Sequence, residues 1–150
     1  MLQEGKTQVK YFSRVESSET IVSNKRHKIA DLSLSNKQLV QKSYVYKSGA
    51  QYTGTWLGGM RHGKGKMTWP DGASYDGLWQ CNAATKEGKF IHVNGDVYEG
   101  GWAANNLMTG YGVYKHANGA EYRGTWLHGQ MHGKGHESWP EGASYAGEYL

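Results

Sequence analysis

Residues 52–74, YTGTWLGGMRHGKGKMTWPDGAS, decide the fold. Tyr52, Gly54 and Trp56 stand at spacing two, so in a strand they share one face, with Thr53, Thr55 and Leu57 on the other. After the turn-like Gly58-Gly59-Met60-Arg61 the same spacing returns in Gly63, Gly65, Met67 and Trp69, alternating with Lys64, Lys66 and Thr68. Two period-2 segments around a short Gly-containing loop predict a β-hairpin. Pro70-Asp71-Gly72 predicts a tight turn, and Ala73-Ser74 leads straight into Tyr75. Helix is excluded, because each of so many glycines costs about 1 kcal/mol relative to alanine in a helix interior.

The opening of this stretch recurs as Tyr75-Asp-Gly-Leu-Trp79, Tyr98-Glu-Gly-Gly-Trp102 and Tyr122-Arg-Gly-Thr-Trp126, with a fifth start at Tyr145-Ala-Gly-Glu-Tyr149. The leading tyrosines are 23, 23, 24 and 23 residues apart. Such a period marks a repeat array, in which each unit buries its apolar face only against its neighbours. Each repeat brings two aromatics and three glycines to one face. Glycine weakens a strand unless a ring lies across the bare backbone. The expectation is therefore that Tyr and Trp of one strand cover the glycines of the next. That makes an all-β fold: a single-layered, elongated meander of β-hairpins with one aromatic face. Nine or ten strands at about 4.8 Å spacing give a ribbon roughly 45 Å long.

Tyr-x-Gly-x-Trp, then His-Gly-x-Gly, then Asp-Gly-x-x-Tyr resembles the pattern of MORN repeats (membrane occupation and recognition nexus). The first unit carries Tyr52, Gly54, Trp56, His62-Gly63-Lys64-Gly65 and Asp71-Gly72; the unit at 122–144 carries Tyr122, Gly124, Trp126, His132-Gly133-Lys134-Gly135 and Glu141-Gly142. Residues 75–97 depart, with Lys86-Glu87-Gly88 in place of His-Gly-x-Gly and Asn94-Gly95 at the turn. Residues 98–121 carry one extra residue in the hairpin loop. Residues 44–51 look like the second strand and turn of a preceding half-repeat, and 145–150 like a partial fifth. The array thus spans 44–150. The resemblance implies a twisted hairpin ribbon and a binding or assembly module: a scaffold or adaptor subunit, in cilia and axonemes or another cytoskeletal structure, with no chemistry of its own.

Composition divides the chain near residue 43. Gly5 is the sole glycine before Gly49, and all six tryptophans lie beyond the boundary. Residues 1–43 hold eight Lys/Arg against four Asp/Glu, and residues 44–150 hold nine of each. The formal charge of +4 therefore belongs to the basic N-terminal extension, and the repeats are neutral. That licenses a basic tail rather than a nucleic-acid surface. The extension is expected to be largely irregular, disordered or folding by docking on a partner. Ser35-Asn-Lys-Gln38 resembles a capping box, which allows a short helix over about 36–43. No run approaches the roughly 18 to 20 apolar residues of a membrane span. The start lacks the apolar core of a secretory signal, and Glu4, Glu16 and Glu19 argue against an organellar presequence. A single cysteine, Cys81, suits a reducing compartment, so the cytoplasm is expected.

Chemistry-bearing residues form no catalytic constellation, and no enzyme or cofactor is expected. His62 and His132 belong to the repeat motif itself. His128, His132 and His136 surround one hairpin loop, but no Cys, Asp or Glu stands at matching spacing, so no metal is expected. Gly63-Lys64-Gly65-Lys66 lacks phosphate-loop spacing and no helix follows it. The surface with functional promise is the aromatic face: Tyr52, Trp56, Tyr75, Trp79, Tyr98, Trp102, Tyr122 and Trp126. A groove there would receive a helix or an extended peptide. A second contact is expected at the terminal strand, through Tyr145, Gly147 and Tyr149, with another chain or a second copy pairing along 145–150. The alternative is a peripheral membrane adaptor binding phosphoinositides through Lys64, Lys66, Lys89 and the basic extension, although a neutral array gives little attraction to anionic lipid.

Overall fold

The computed structural model describes residues 11–12 and 37–150. Ten strands form one open antiparallel sheet in sequence order: β1 Leu39–Val45, β2 Gln51–Leu57, β3 Met60–Thr68, β4 Ser74–Gln80, β5 Ala83–Ile91, β6 Val97–Ala103, β7 Leu107–Lys115, β8 Glu121–Leu127, β9 Gln130–Ser138 and β10 Ser144–Tyr149. Every strand pairs only with its chain neighbours. This is the expected single-layered meander. Tyr11 and Phe12 are helical and packed on the sheet; the rest of the expected disordered-or-docking extension, up to residue 36, lies outside the described residues.

Two kinds of turn alternate. The first joins β2 to β3 through Gly58 and Gly59, whose φ values of 58° and 84° are both positive. This is the type I′ geometry whose twist matches the flanking strands. Cys81-Asn82 and His128-Gly129 repeat it. In the third repeat the extra residue lengthens the loop to Ala104–Asn106, with Asn106 taking the left-handed conformation at φ 60°. The second kind follows Trp69: its N–H bonds to Ala73 O at 2.9 Å, and Gly72 N–H returns to Trp69 O at 3.0 Å. Asp71 Oδ1 accepts from Ala73 N–H at 3.1 Å, so the short side chain holds the turn that Asp-Gly predicts.

One element differs in kind from its sequence expectation. Residues 39–45, which overlap the short helix expected over 36–43, form strand β1, with Leu39 opposite Leu57 and Val45 opposite Gln51. The capping pattern is a local preference; the free edge of β2 offers a whole ladder of backbone partners, and Leu39, Val40, Tyr44 and Val45 suit a pleat. Within each hairpin the register also slips. Gly54 faces Gly65 but Trp56 faces Arg61, so Thr55 stands opposite a bulge at His62–Lys64. Gly63 sits in that bulge with φ 76°, and so does not continue the alternation of Gly65, Met67 and Trp69 as its spacing suggested.

Candidate functional site

The bulge glycines and paired glycines have different jobs, and both prepare one face. Gly54 and Gly65 are cross-strand partners, and the ring of Tyr52 lies over both. A Cβ on Gly65 would stand 2.5 Å from Tyr52 Cε2, and one on Gly54 would stand 2.6 Å from Lys64 O. The same arrangement holds Tyr75 over Gly77 and Gly88, Tyr98 over Gly100 and Gly112, and Tyr122 over Gly124 and Gly135. Each hydroxyl donates to the carbonyl three residues on: Tyr52 to Thr55, Tyr75 to Leu78, Tyr98 to Gly101 and Tyr122 to Thr125, all within 2.9–3.1 Å. Burial pushes all four phenols above their ordinary range, so they remain neutral donors.

The tryptophans do something else. The sequence suggested that they too would cover glycines. Instead each indole N–H donates to a carbonyl of the preceding strand pair: Trp56 to Lys42 at 3.0 Å, Trp79 to Gly65 at 2.9 Å, Trp102 to Gly88 at 3.0 Å and Trp126 to Gly112 at 3.3 Å. Each interior tyrosine is wedged edge-on between its own tryptophan and the next: Tyr75 lies 5.1 Å from both Trp79 and Trp102, and Tyr98 lies 5.3 Å from both Trp102 and Trp126. These are the T-shaped contacts that ring quadrupoles favour. Tyr149 takes the tryptophan's place at the last unit, 5.1 Å from Tyr122. Of the eight rings expected to meet a partner, the lattice buries Tyr52, Tyr75, Trp79, Tyr98, Trp102, Tyr122 and Trp126, and leaves Trp56 half-buried.

A second stripe, from the odd strands, borders the lattice: Met67, Phe90 and Tyr114 face Tyr75, Tyr98 and Tyr122 across the ladder. On this stripe and lattice sit Tyr11 and Phe12. Phe12 is 3 % exposed, in a cage of five rings: Trp69 and Tyr75 at 5.5 Å, Trp102 at 5.8 Å, Trp79 at 5.9 Å and Phe90 at 6.1 Å. Tyr11 packs with its ring tilted, 5.4 Å from both Trp69 and Phe90. Sequence reasoning missed this pair and the cage residues Trp69 and Phe90. A signal existed: Tyr11 and Phe12 are the only aromatics before residue 44, and they are adjacent.

Polar residues tie neighbouring repeats together at both margins. Arg61, buried, lies over Trp79 at 4.8 Å and donates to Asn82 O at 2.9 Å, while Asn82 Oδ1 accepts from Arg61 N–H. At the opposite margin Asp96 occupies the position that Ala50, Ala73 and Ala120 hold elsewhere. Its carboxylate accepts from Tyr114 Oη at 2.9 Å and Ala117 N at 2.8 Å, with His116 Nδ1 at 3.5 Å. Burial pushes this carboxyl up, but those hydrogen bonds, Asn94 and His116 outweigh it and hold it below its ordinary range. Burial holds His92, beside Phe90, below the usual imidazole range.

The opposite face is polar. Lys66 faces Asp76, Asp76 faces Lys89, and Lys89 faces Glu99, with Lys89 Nζ 4.0 Å from the Glu99 carboxylate. Signs alternate across four strands, so by register Lys66 and Lys89 each stand beside an acid. Among the described residues no three His, Cys, Asp or Glu side chains gather as metal ligands, and no helix is long and apolar enough to cross a membrane. Tyr145 is exposed, with its ring over Gly147, on β10, which pairs with β9. By register a strand added outside β10 would meet Tyr145's ring opposite Gly147, where interior strands carry glycine. A copy's β1 presents Lys42 at that register, as its pairing with Gly54 shows.

A comparison with curated proteins finds no match. A solved structure, described as the SAS-4 (dCPAP) TCP domain in complex with a proline-rich motif of Ana2 (dSTIL) of Drosophila melanogaster, is similar at 11 % identity and a TM-score of 0.43. The match covers 69 % of this chain and 56 % of that one. The MORN-repeat family model matches residues 52–74, 98–121 and 122–144. It passes over 75–97, where Lys86 replaces the bulge glycine, although β4 and β5 form the same hairpin there. With the repeat period, the ring lattice and three matched units in agreement, the chain belongs to the MORN-repeat family.

Proposed function

We propose that this chain is a non-enzymatic scaffold or adaptor subunit of a larger protein assembly, in a cilium, an axoneme or another part of the cytoplasmic cytoskeleton. MORN repeats as a class point to a protein-interaction or membrane-associated module. The observation that favours the first is the seat of Phe12: a segment outside the repeats lies on the aromatic face and buries a ring among five others. A partner's segment engages such a surface in the same way, with aromatic anchors in a groove. The alternating charges through Lys66, Asp76, Lys89 and Glu99 speak against a lipid surface on the sheet, because each base there stands beside an acid and the attraction to anionic headgroups is weakened.

The test has two arms. The tagged chain is cross-linked in cells and its partners purified, and the cross-links are mapped onto the sheet. Cross-links from one protein clustering along the aromatic face support the adaptor. In parallel the chain is sedimented with phosphoinositide vesicles at low and high salt. Salt-sensitive co-sedimentation, lost on replacing Lys64, Lys66 and Lys89, would reverse the choice in favour of the membrane adaptor.

A further inference from the structure

Three of the five rings around Phe12 are held by hydrogen bonds of their own. Trp79 and Trp102 are fixed by their indole bonds to Gly65 and Gly88, and Tyr75 by its hydroxyl bond to Leu78. None of these bonds involves Tyr11 or Phe12. The pair itself is helical and contributes no strand to the ladder. The ten-stranded ladder is therefore complete without the pair. Trp69, one wall of the cage, differs from the lattice tryptophans in its bonding. The Trp69 indole N–H is buried with no hydrogen-bond partner, whereas the four lattice tryptophans all donate theirs. A buried donor without an acceptor is costly, so this wall of the cage is held by ring packing rather than by a hydrogen bond of its own.

We propose that Trp69, Tyr75, Trp79, Phe90 and Trp102 form a recognition pocket for a phenylalanine carried by a partner's short helical segment, and that Tyr11 and Phe12 occupy it in cis until that segment displaces them. This rests on the adaptor reading and adds its regulation. The partner's chemistry follows from the resident: two adjacent aromatics, one inserted into the cage and one packed at a tilt against Trp69 and Phe90. Because the resident belongs to the same chain, a competitor contends with an intramolecular contact, whose effective concentration reaches the order of millimolar. A free segment of micromolar intrinsic affinity is then held off by a factor on the order of a hundredfold or more.

The chain contains two phenylalanines, Phe12 and Phe90, so labelling with fluorophenylalanine gives a two-line ¹⁹F spectrum. Both lines are expected away from the random-coil position in the free protein. The probe is an unlabelled peptide of residues 6–18. At millimolar excess it is expected to move the Phe12 line to the random-coil position and leave the Phe90 line displaced. The full chain carrying Tyr11→Ala and Phe12→Ala is expected to bind the peptide at least tenfold more tightly than the unsubstituted chain, and Phe12→Leu is expected to restore most of the exclusion. A peptide with its own phenylalanine replaced by alanine is expected to lose about 30-fold or more, as a hot-spot anchor does.

A Phe12 line at the random-coil position before any peptide, or one unmoved at millimolar excess, overturns the proposal. So does equal affinity of the two chains. Concentration-dependent dimerisation that Phe12→Ala abolishes makes a second copy the occupant and overturns the assignment in cis. Displacement by peptide without any partner recovered from cells refutes the adaptor reading alone; a recovered partner with an immovable Phe12 line refutes the displaceable pocket alone.

Discussion

Replacing Gly65 by alanine adds one methyl group, yet it is expected to be among the most damaging single changes in the array. The new Cβ would stand 2.5 Å from Tyr52 Cε2, with Cζ and the hydroxyl closer still, and ring and backbone are both fixed. The ring must leave. With it go the hydroxyl bond to Thr55 O at 3.0 Å and the edge-on contacts to Trp56 at 5.0 Å and Trp79 at 5.4 Å. The hydrogen bond contributes about 1 kcal/mol and each aromatic contact about 0.5–1.5 kcal/mol, before the burial of the ring is counted. The total loss should approach that of removing a core aromatic, about 3–5 kcal/mol. Gly72→Ala is the control: nothing lies within 4 Å of its Cβ, so only its φ of 95° is penalised, at about 1–2 kcal/mol. The assay is a double-mutant cycle by urea unfolding, monitored by tryptophan fluorescence and far-ultraviolet dichroism. With Tyr52→Ala already present, Gly65→Ala should cost less than about 1 kcal/mol. Additive effects of the two substitutions would refute the argument that the glycine exists to receive the ring.

Other outcomes follow from the same geometry. Lys86 holds a bulge position at φ 58°, where the other repeats place Gly63, Gly110 and Gly133, so Lys86→Gly should raise stability by about 1 kcal/mol and the melting temperature by a few degrees. Acid should weaken the fold in two steps. Burial lowers the His92 pKa, so the unfolded chain binds a proton that the folded chain resists; stability is full above about pH 6.5 and falls as pH drops through that value, and His92→Gln should flatten the profile between about pH 7 and 5. Asp96 is depressed on balance, so its share persists above about pH 4 and is lost only as pH falls through its lower folded value. Replacing Lys66 by alanine, on the polar face, should change the unfolding midpoint by less than about 0.5 kcal/mol, as exposed charges usually do.

The sheet was legible because its determinants are local and repeated. Tyr-x-Gly-x-Trp fixes which face is aromatic, Asp71-Gly72 fixes a turn, and a period of 23 multiplies both. Where a tertiary partner outvotes a local preference, the pattern misleads. Residues 39–45 carry a capping signal just upstream, yet β2 recruits them as a strand. Gly63 has the right spacing for the face but lies in a bulge, because alternation does not reveal an extra residue in one strand. The site was half legible. The rings were named correctly as a face, but their spacing could not show that they bury one another, nor that the tryptophans would seek carbonyls rather than glycines. Phe12 was invisible for a different reason: no periodicity links it to Phe90, and their contact depends on a docking event between distant parts of the chain.

The exchange of the six indole N–H protons, followed by ¹H–¹⁵N NMR and assigned by single Trp→Phe substitutions, tests the ring lattice most directly. The lattice requires Trp79, Trp102 and Trp126, buried and bonded to Gly65, Gly88 and Gly112, to exchange only when their repeats unfold. Half-buried Trp56, bonded to Lys42, should exchange sooner, and half-exposed Trp139 faster than any of the four. Six indoles exchanging at one common, unprotected rate would contradict the lattice outright.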